Sequence, residues 1–151
     1  MSLPDTSKLC VHTITTKPLS LEDALDAFRR VGVSGITVWR QALEGRDPAQ
    51  AGRRIREAGL ELVSLCRGGF FTGPEAAARQ AAIDDNLRAI DEAADLGAPL
   101  VVLVCGATPG QSLAESRRQI QEGISAILPH AESCGVKLGI EPLHPMYADS
   151  R

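Results

Sequence analysis

The chain has 151 residues, 44% of them hydrophobic and 23% charged, with a formal net charge of −3. That length gives a single domain a real core, and the composition is that of an ordinary globular protein. No apolar run reaches the roughly 18 residues a membrane-crossing helix needs, and no cationic start leads into an apolar stretch and a small-residue cleavage site, so neither a membrane span nor secretion is expected.

The first apolar run, residues 9–15, reads as a strand. Ser20 then stands where a helix N-cap is wanted, with Asp23 three residues on and Leu21, Ala24, Leu25 and Phe28 following at helical spacing. Gly32 ends that helix, and residues 36–40 form the next strand. Asp47 and Pro48 open a second helix as cap and first-turn proline. Its Arg53, Arg54 and Arg56, followed by Glu57, read as a solvated face rather than a nucleic-acid patch. Gly59 closes it before a strand at 60–67. A long helix over 74–96 carries Ile83, Leu87 and Ile90 on its inner stripe, and Gly97 separates it from a strand at 100–106. Ser112 and Glu115 form a capping box for the fourth helix, with Leu113, Ile120, Ile124 and Ile127 inward. Gly135 then leads into a strand at 136–141. Each of the four glycines sits where a left-handed residue past a helix end is wanted.

Strands alternating with helices predict an α/β fold with a parallel sheet. The run Leu100-Val101-Val102-Leu103-Val104 is apolar at every position, as in a strand covered on both faces. A doubly wound open sheet and a (β/α)8 barrel both accommodate five such strands. No G-x-G-x-x-G or P-loop follows any of them, which weakens the nucleotide-binding versions of the first. A TIM barrel takes about 250 residues, so the prediction is a partial barrel holding its first five strands and four helices. The cysteines Cys10, Cys66, Cys105 and Cys134 form no C-x-x-C pair, and three lie in apolar strand-like runs. A reduced, cytoplasmic setting is expected, without nucleophilic roles for Cys66 or Cys105.

The segment Leu138-Gly139-Ile140-Glu141-Pro142-Leu143-His144-Pro145 carries the most chemistry. Alternation puts Val136, Leu138 and Ile140 on one face and Gly139 and Glu141 on the other. In a barrel the second face points inward, and Glu141 lies at the carboxyl end, where barrel enzymes keep their active sites. Periodicity alone leaves a solvated strand-end carboxylate equally open.

The stretch GIEPLHPMYADSR closely resembles the fifth-strand motif of the sugar phosphate isomerase/epimerase family, the xylose-isomerase-like barrels. SGITVWR, EAGLELVSLCRGGFF and DNLRAIDEAADLGAPLVVLVCG resemble it too, so the likeness covers nearly the whole chain, residues 1–151, as the N-terminal portion of one such domain. The resemblance implies a divalent metal at the barrel mouth, Mn²⁺ or Mg²⁺ first and Zn²⁺ or Co²⁺ as alternatives. Its ligands are Glu, Asp, His and Glu in order from strands five to eight. Glu141 matches the first, as ligand and as one of two acid/base groups in an isomerisation or epimerisation through an enediolate. Strands six to eight have no counterpart, one carboxylate does not make a metal site, and the chain by itself is expected to be inactive. The end at Arg151, where a trypsin-like cut would fall, leaves proteolysis, an unseen tail and a short gene open.

Other residues at predicted strand ends are weighed both ways. Trp39 reads as a sugar-pocket wall or a core aromatic. Arg67, before Gly68 and Gly69, reads as an anchor for a substrate carboxylate or phosphate on a tight turn, or as a solvated loop residue. His144 reads as a substrate hydrogen-bond partner or a loop histidine. His12 reads as facing the pocket or the bottom of the barrel, a lone strand histidine being more often structural, and His130 reads as a surface residue. The leading expectation is a cytoplasmic, metal-dependent isomerase or epimerase of a small sugar or hydroxy-carbonyl compound, acting as a homo-oligomer without nucleic acid or membrane. An inosose-dehydratase-like lyase would use the same site. An endonuclease IV-like phosphodiesterase and a non-catalytic half-barrel that works by assembly are the lesser alternatives.

Overall fold

A computed structural model describes residues 6–141 of the chain. They form β1 (Cys10–His12), α1 (Leu21–Arg30), β2 (Gly35–Trp39), α2 (Pro48–Glu57), β3 (Glu61–Gly69), α3 (Ala76–Leu96), β4 (Leu100–Val104), α4 (Leu113–Ser133) and β5 (Lys137–Ile140). Short 3-10 turns at Thr13–Thr16 and Arg40–Leu43 follow β1 and β2. All strand pairs are parallel, and the sheet order is β1-β2-β3-β4-β5. An unbroken sequential order decides between the two predicted architectures: a doubly wound sheet reverses its order part-way, whereas a barrel adds each strand beside the last.

The helices cover one face of this sheet. Ile36, Val38, Leu65, Val101 and Leu103 point into a core shared with Leu25 and Phe28 of α1, Ile55 of α2, Ile90 of α3 and Ile127 of α4. α2 packs on α3, and α3 on α4. The opposite face carries a polar chain low in the sheet, where the Thr37 hydroxyl lies 2.8 Å from that of Ser64 and 3.5 Å from Cys10 Sγ.

Local signals place the helices as expected. Ser20 Oγ accepts the Asp23 amide, Asp47 Oδ1 the amides of Ala49 and Gln50, and Ser112 Oγ the Glu115 amide. Gly32, Gly59, Gly97 and Gly135 all have positive φ, as a helix exit requires. The capping boxes are one-sided, however. Asp23 accepts from the Ser20 hydroxyl, and Glu115 turns to Arg118 and Gln119 instead of its own cap.

Several expected boundaries move. β1 and β2 stop early because the chain turns at Thr13, whose hydroxyl accepts the Trp39 amide at 2.9 Å. β4 and β5 are likewise shorter than expected at 100–106 and 136–141. β3 is longer, and this corrects the tight turn expected at Gly68-Gly69: both glycines still pair with β4, opposite Leu103 and Val104. Leu113, expected on the inner face of α4, is 51% exposed, since the first helical position projects past the end of the core.

Candidate functional site

The register aligns Trp39, Cys66, Val102 and Gly139 in one row across four strands, at the carboxyl end of the sheet. Val38, Leu65, Val101 and Leu103 beside them belong to the core under the helices, and Leu138 packs against it, so this row faces the side a closed barrel encloses. Glu141 continues β5 beyond Gly139, its amide donating to Leu103 O at 3.0 Å, and it is exposed. Its negative charge is felt at Cys66. Burial chiefly, and then Glu141, pushes the Cys66 thiol up to about 11, against a smaller opposing pull from Arg67. Cys66 is therefore a neutral thiol at physiological pH.

Arg67 owes its place to a β-bulge. Cys66 pairs with Val102 and Gly68 with Leu103, so Arg67 is the unpaired residue between them. A bulge of this kind re-aims one side chain. Here the guanidinium carbon lies 4.4 Å from the centre of the Phe70 ring and 5.7 Å from that of Trp39, within cation–π range of both. Among the described residues Arg67 takes no salt bridge. Phe70 adopts φ 60, which is unusual for a residue with a Cβ, and its ring remains 46% exposed. The neighbouring Cys66–Arg67 peptide is cis.

The segment behind Arg67 is fixed from α3 and α4. Buried Asn86 accepts the Gly69 amide at 2.7 Å and donates to the Gly69 carbonyl at 2.8 Å and to Ala82 O at 2.8 Å. Gly68 has to lack a side chain, since a Cβ there would come within 2.3 Å of Asn86 Oδ1. Gln119 of α4 accepts the Gly73 amide, and Phe71 fills the core between them.

Trp39 is held from β1. Its indole N–H donates to His12 Nδ1 at 3.2 Å, which leaves the proton of a neutral His12 ring on Nε2. His12, expected to be structural, is exposed at the carboxyl end of β1 and orients Trp39 there. Trp39 also lines a cleft of about 420 Å³ between the segments after β1 and β2, with Thr13, Lys17, Gln41, Glu44 and Arg46. Arg40, next in sequence, turns away to the helices. It bonds Glu92 at 2.7 Å and Asp85 at 2.8 Å, holding the Asp85 carboxyl below its usual range.

The structure thus places Trp39 and Arg67 together and sets Glu141 at the same end of the sheet, while His144 lies outside the described residues. Phe70 and Asn86 are the neighbours that sequence reasoning missed, and His12 was weighed there without its Trp39 partner. Phe70 and Asn86 lie inside the family-like stretches, but nothing in the spacing assigned them a partner. Glu141 suits a divalent metal by residue type and position. Among the described residues, no group of three potential ligands surrounds it.

Residues 16–150 match a protein family described as xylose isomerase-like TIM barrel. The chain belongs to that family. The fold agrees, as the chain superposes on other xylose isomerase-like barrels. Protein SMc04130 from Sinorhizobium meliloti 1021 is 46% identical, with a TM-score of 0.86 over 95% of this chain and 54% of that one. A D-psicose 3-epimerase solved in the presence of D-fructose is 16% identical, with a TM-score of 0.76 over 91% of this chain and 53% of that one. The IOLI protein with a bound zinc atom is 17% identical, with a TM-score of 0.75 over 87% of this chain and 50% of that one. The chain spans about half the length of these solved structures. A comparison with curated proteins finds no match. No helix among the described residues is long and apolar enough to cross a membrane.

Proposed function

We propose that this chain supplies one side of the active site of a metal-dependent isomerase or epimerase acting on a small sugar or hydroxy-carbonyl compound. The observation that carries the reading is Glu141, an exposed carboxylate at the carboxyl end of β5, on the enclosed side of a xylose isomerase-like barrel. The epimerase and zinc-bound relatives share the fold, and they motivate the choice of reaction and of metal dependence.

In this reading Glu141 moves a proton at the carbon next to the substrate carbonyl. An exposed carboxylate can take that proton and return it to the neighbouring carbon, which is isomerisation; epimerisation needs a second acid on the opposite face, which strands beyond the fifth would supply. Glu141 is also one ligand of the metal, and Mn²⁺ or Mg²⁺ suits its hard oxygen, with Zn²⁺ or Co²⁺ as alternatives. A bound divalent ion supplies Lewis-acid stabilisation of the charge that develops on the substrate oxygens. The remaining ligands would come from strands beyond the fifth, so the five-stranded chain alone is expected to be inactive.

Trp39 forms a flat wall for the apolar face of a sugar ring, with His12 fixing its plane. Arg67 binds a phosphate or carboxylate on the substrate, since its guanidinium carbon lies 4.4 Å from the Phe70 ring centre and it pairs with no carboxylate among the described residues. His144 donates or accepts a hydrogen bond at the substrate hydroxyls.

The test is incubation of candidate ketoses in deuterated buffer with Mn²⁺, on protein that includes the later strands, read by NMR. Proton transfer through Glu141 incorporates solvent deuterium at the reacting carbon. Glu141→Gln should lower that rate by about 10³-fold or more with the fold retained. Unchanged exchange in Glu141→Gln, or exchange indifferent to metal removal, would reject the proposal.

A further inference from the structure

A second group of metal-ligating side chains lies away from the mouth. His130 lies in the last turn of α4, Cys134 caps the end of that helix four residues on, and Asp91 comes from the adjoining α3. His130 Nε2 is 2.7 Å from Asp91 Oδ1 and 3.8 Å from Cys134 Sγ, and the three donor atoms all lie within 4.8 Å of one another. The helices run back from the carboxyl ends of the strands, and Cys134 stands just ahead of Lys137, where β5 begins. The cluster is therefore at the amino-terminal end of the sheet, the end opposite Glu141.

We propose that Asp91, His130 and Cys134 form a site for zinc, or another borderline-soft divalent cation, that clasps α3 to α4. The donor set is one thiol sulfur, one imidazole nitrogen and one carboxylate oxygen, which selects zinc over the hard ions suited to an all-oxygen site. Tetrahedral bonds of about 2.0–2.3 Å put neighbouring ligand atoms about 3.3–3.8 Å apart. The sulfur–nitrogen separation already has that length, and the His130–Asp91 contact needs to open by only about 0.6 Å to match it. Side-chain exposures of 36% for His130 and 59% for Asp91 leave an entry path and a fourth position for water. Cys134 also caps the carboxyl end of α4, where the helix dipole favours a cation. Binding converts the Cys134 thiol to a metal-bound thiolate and releases its proton to solvent. The ion then ties the end of α4, and the turn that feeds β5, to α3.

The test uses tag-free, reduced protein titrated with Co²⁺ and then Zn²⁺. One Co²⁺ per chain should bind with a near-ultraviolet thiolate-to-cobalt charge-transfer band and tetrahedral visible bands, and zinc should erase both. Cys134→Ser and His130→Gln should abolish the band, and Asp91→Asn should weaken binding by about tenfold or more. Glu141→Gln and Cys10→Ser should retain it, which separates this site from the mouth and from the other half-buried thiol. Zinc at about a hundredfold excess over its dissociation constant should raise the melting temperature by about 5–10 °C, and should not do so in Cys134→Ser. Metal-free melting curves verify that each variant folds, and His130→Gln stands in for Cys134→Ser should the latter fail. A missing thiolate band, a band that survives in Cys134→Ser and His130→Gln, or a dissociation constant weaker than about 100 μM would overturn the proposal, the last marking an adventitious ion only.

Discussion

Asn86→Leu tests whether the candidate site is held from behind. The side chain is 2% exposed and makes both backbone contacts of buried Gly69, accepting its amide and donating to its carbonyl. Leucine keeps the branch at Cγ but is bulkier, so it leaves no room for a replacement water and strands both groups, with some overpacking added. An unsatisfied buried backbone group costs about 1–3 kcal/mol, so the pair is expected to cost about 4 kcal/mol. The Ala82 carbonyl adds little, since it keeps its partner within the helix. With a urea slope of about 2 kcal/mol/M, the unfolding midpoint should fall by about 2 M. Far-UV circular dichroism and the fluorescence of Trp39, the one tryptophan, should report the same transition. Asn86→Asp keeps the acceptor for the Gly69 amide but faces the Gly69 carbonyl with a second acceptor, and should also destabilise. A loss below about 1 kcal/mol in Asn86→Leu would show that Gly69 finds other partners, and that Asn86 does not fix the segment carrying Arg67.

The Cys66 thiol gives a pH dependence with a definite sign. Its value is raised from an ordinary 9.0 to about 11, so the unfolded chain ionises there first and the native state loses stability as pH rises from about 9 to about 11. That differential is worth about 2–3 kcal/mol when complete. Urea midpoints of wild type and Cys66→Ala should diverge over this window, wild type falling further, and parallel profiles would contradict the assignment. Gly52→Ala separates helix propensity from packing. In an isolated α2 the change should stabilise by about 1 kcal/mol. A Cβ there would, however, meet the Leu96 carbonyl oxygen at 2.0 Å and its carbon at 2.8 Å. The expected result is a loss of about 2 kcal/mol or more, and a raised melting temperature would refute the close approach of α2 to the end of α3.

What could be read from the sequence was what the chain writes locally. Helix starts were legible because Ser20, Asp47 and Ser112 cap amides two or three residues away, and helix ends because a glycine must take the left-handed conformation there. The position of Glu141 just past the last strand was legible for the same reason, as strand alternation spans only a few residues. Arg67 was legible as a candidate but not in its setting. Its direction comes from a bulge opposite β4, from the conformation of Phe70, and from Asn86, which holds Gly69 from 17 residues further along. The same distance effect hid the pairing of His12 with Trp39, 27 residues apart, and of Asp91 with His130, 39 residues apart. Long-range contacts leave no period in a single sequence, because either partner satisfies its own element's pattern without the other. Arg40 shows the cost of this. It ends the predicted second strand beside Trp39, yet its guanidinium is committed to Asp85 and Glu92 on α3. Arg67 has no such carboxylate among the described residues. Of these two strand-end arginines, Arg40 is fixed by carboxylates of the helix layer and Arg67 rests on aromatic rings instead.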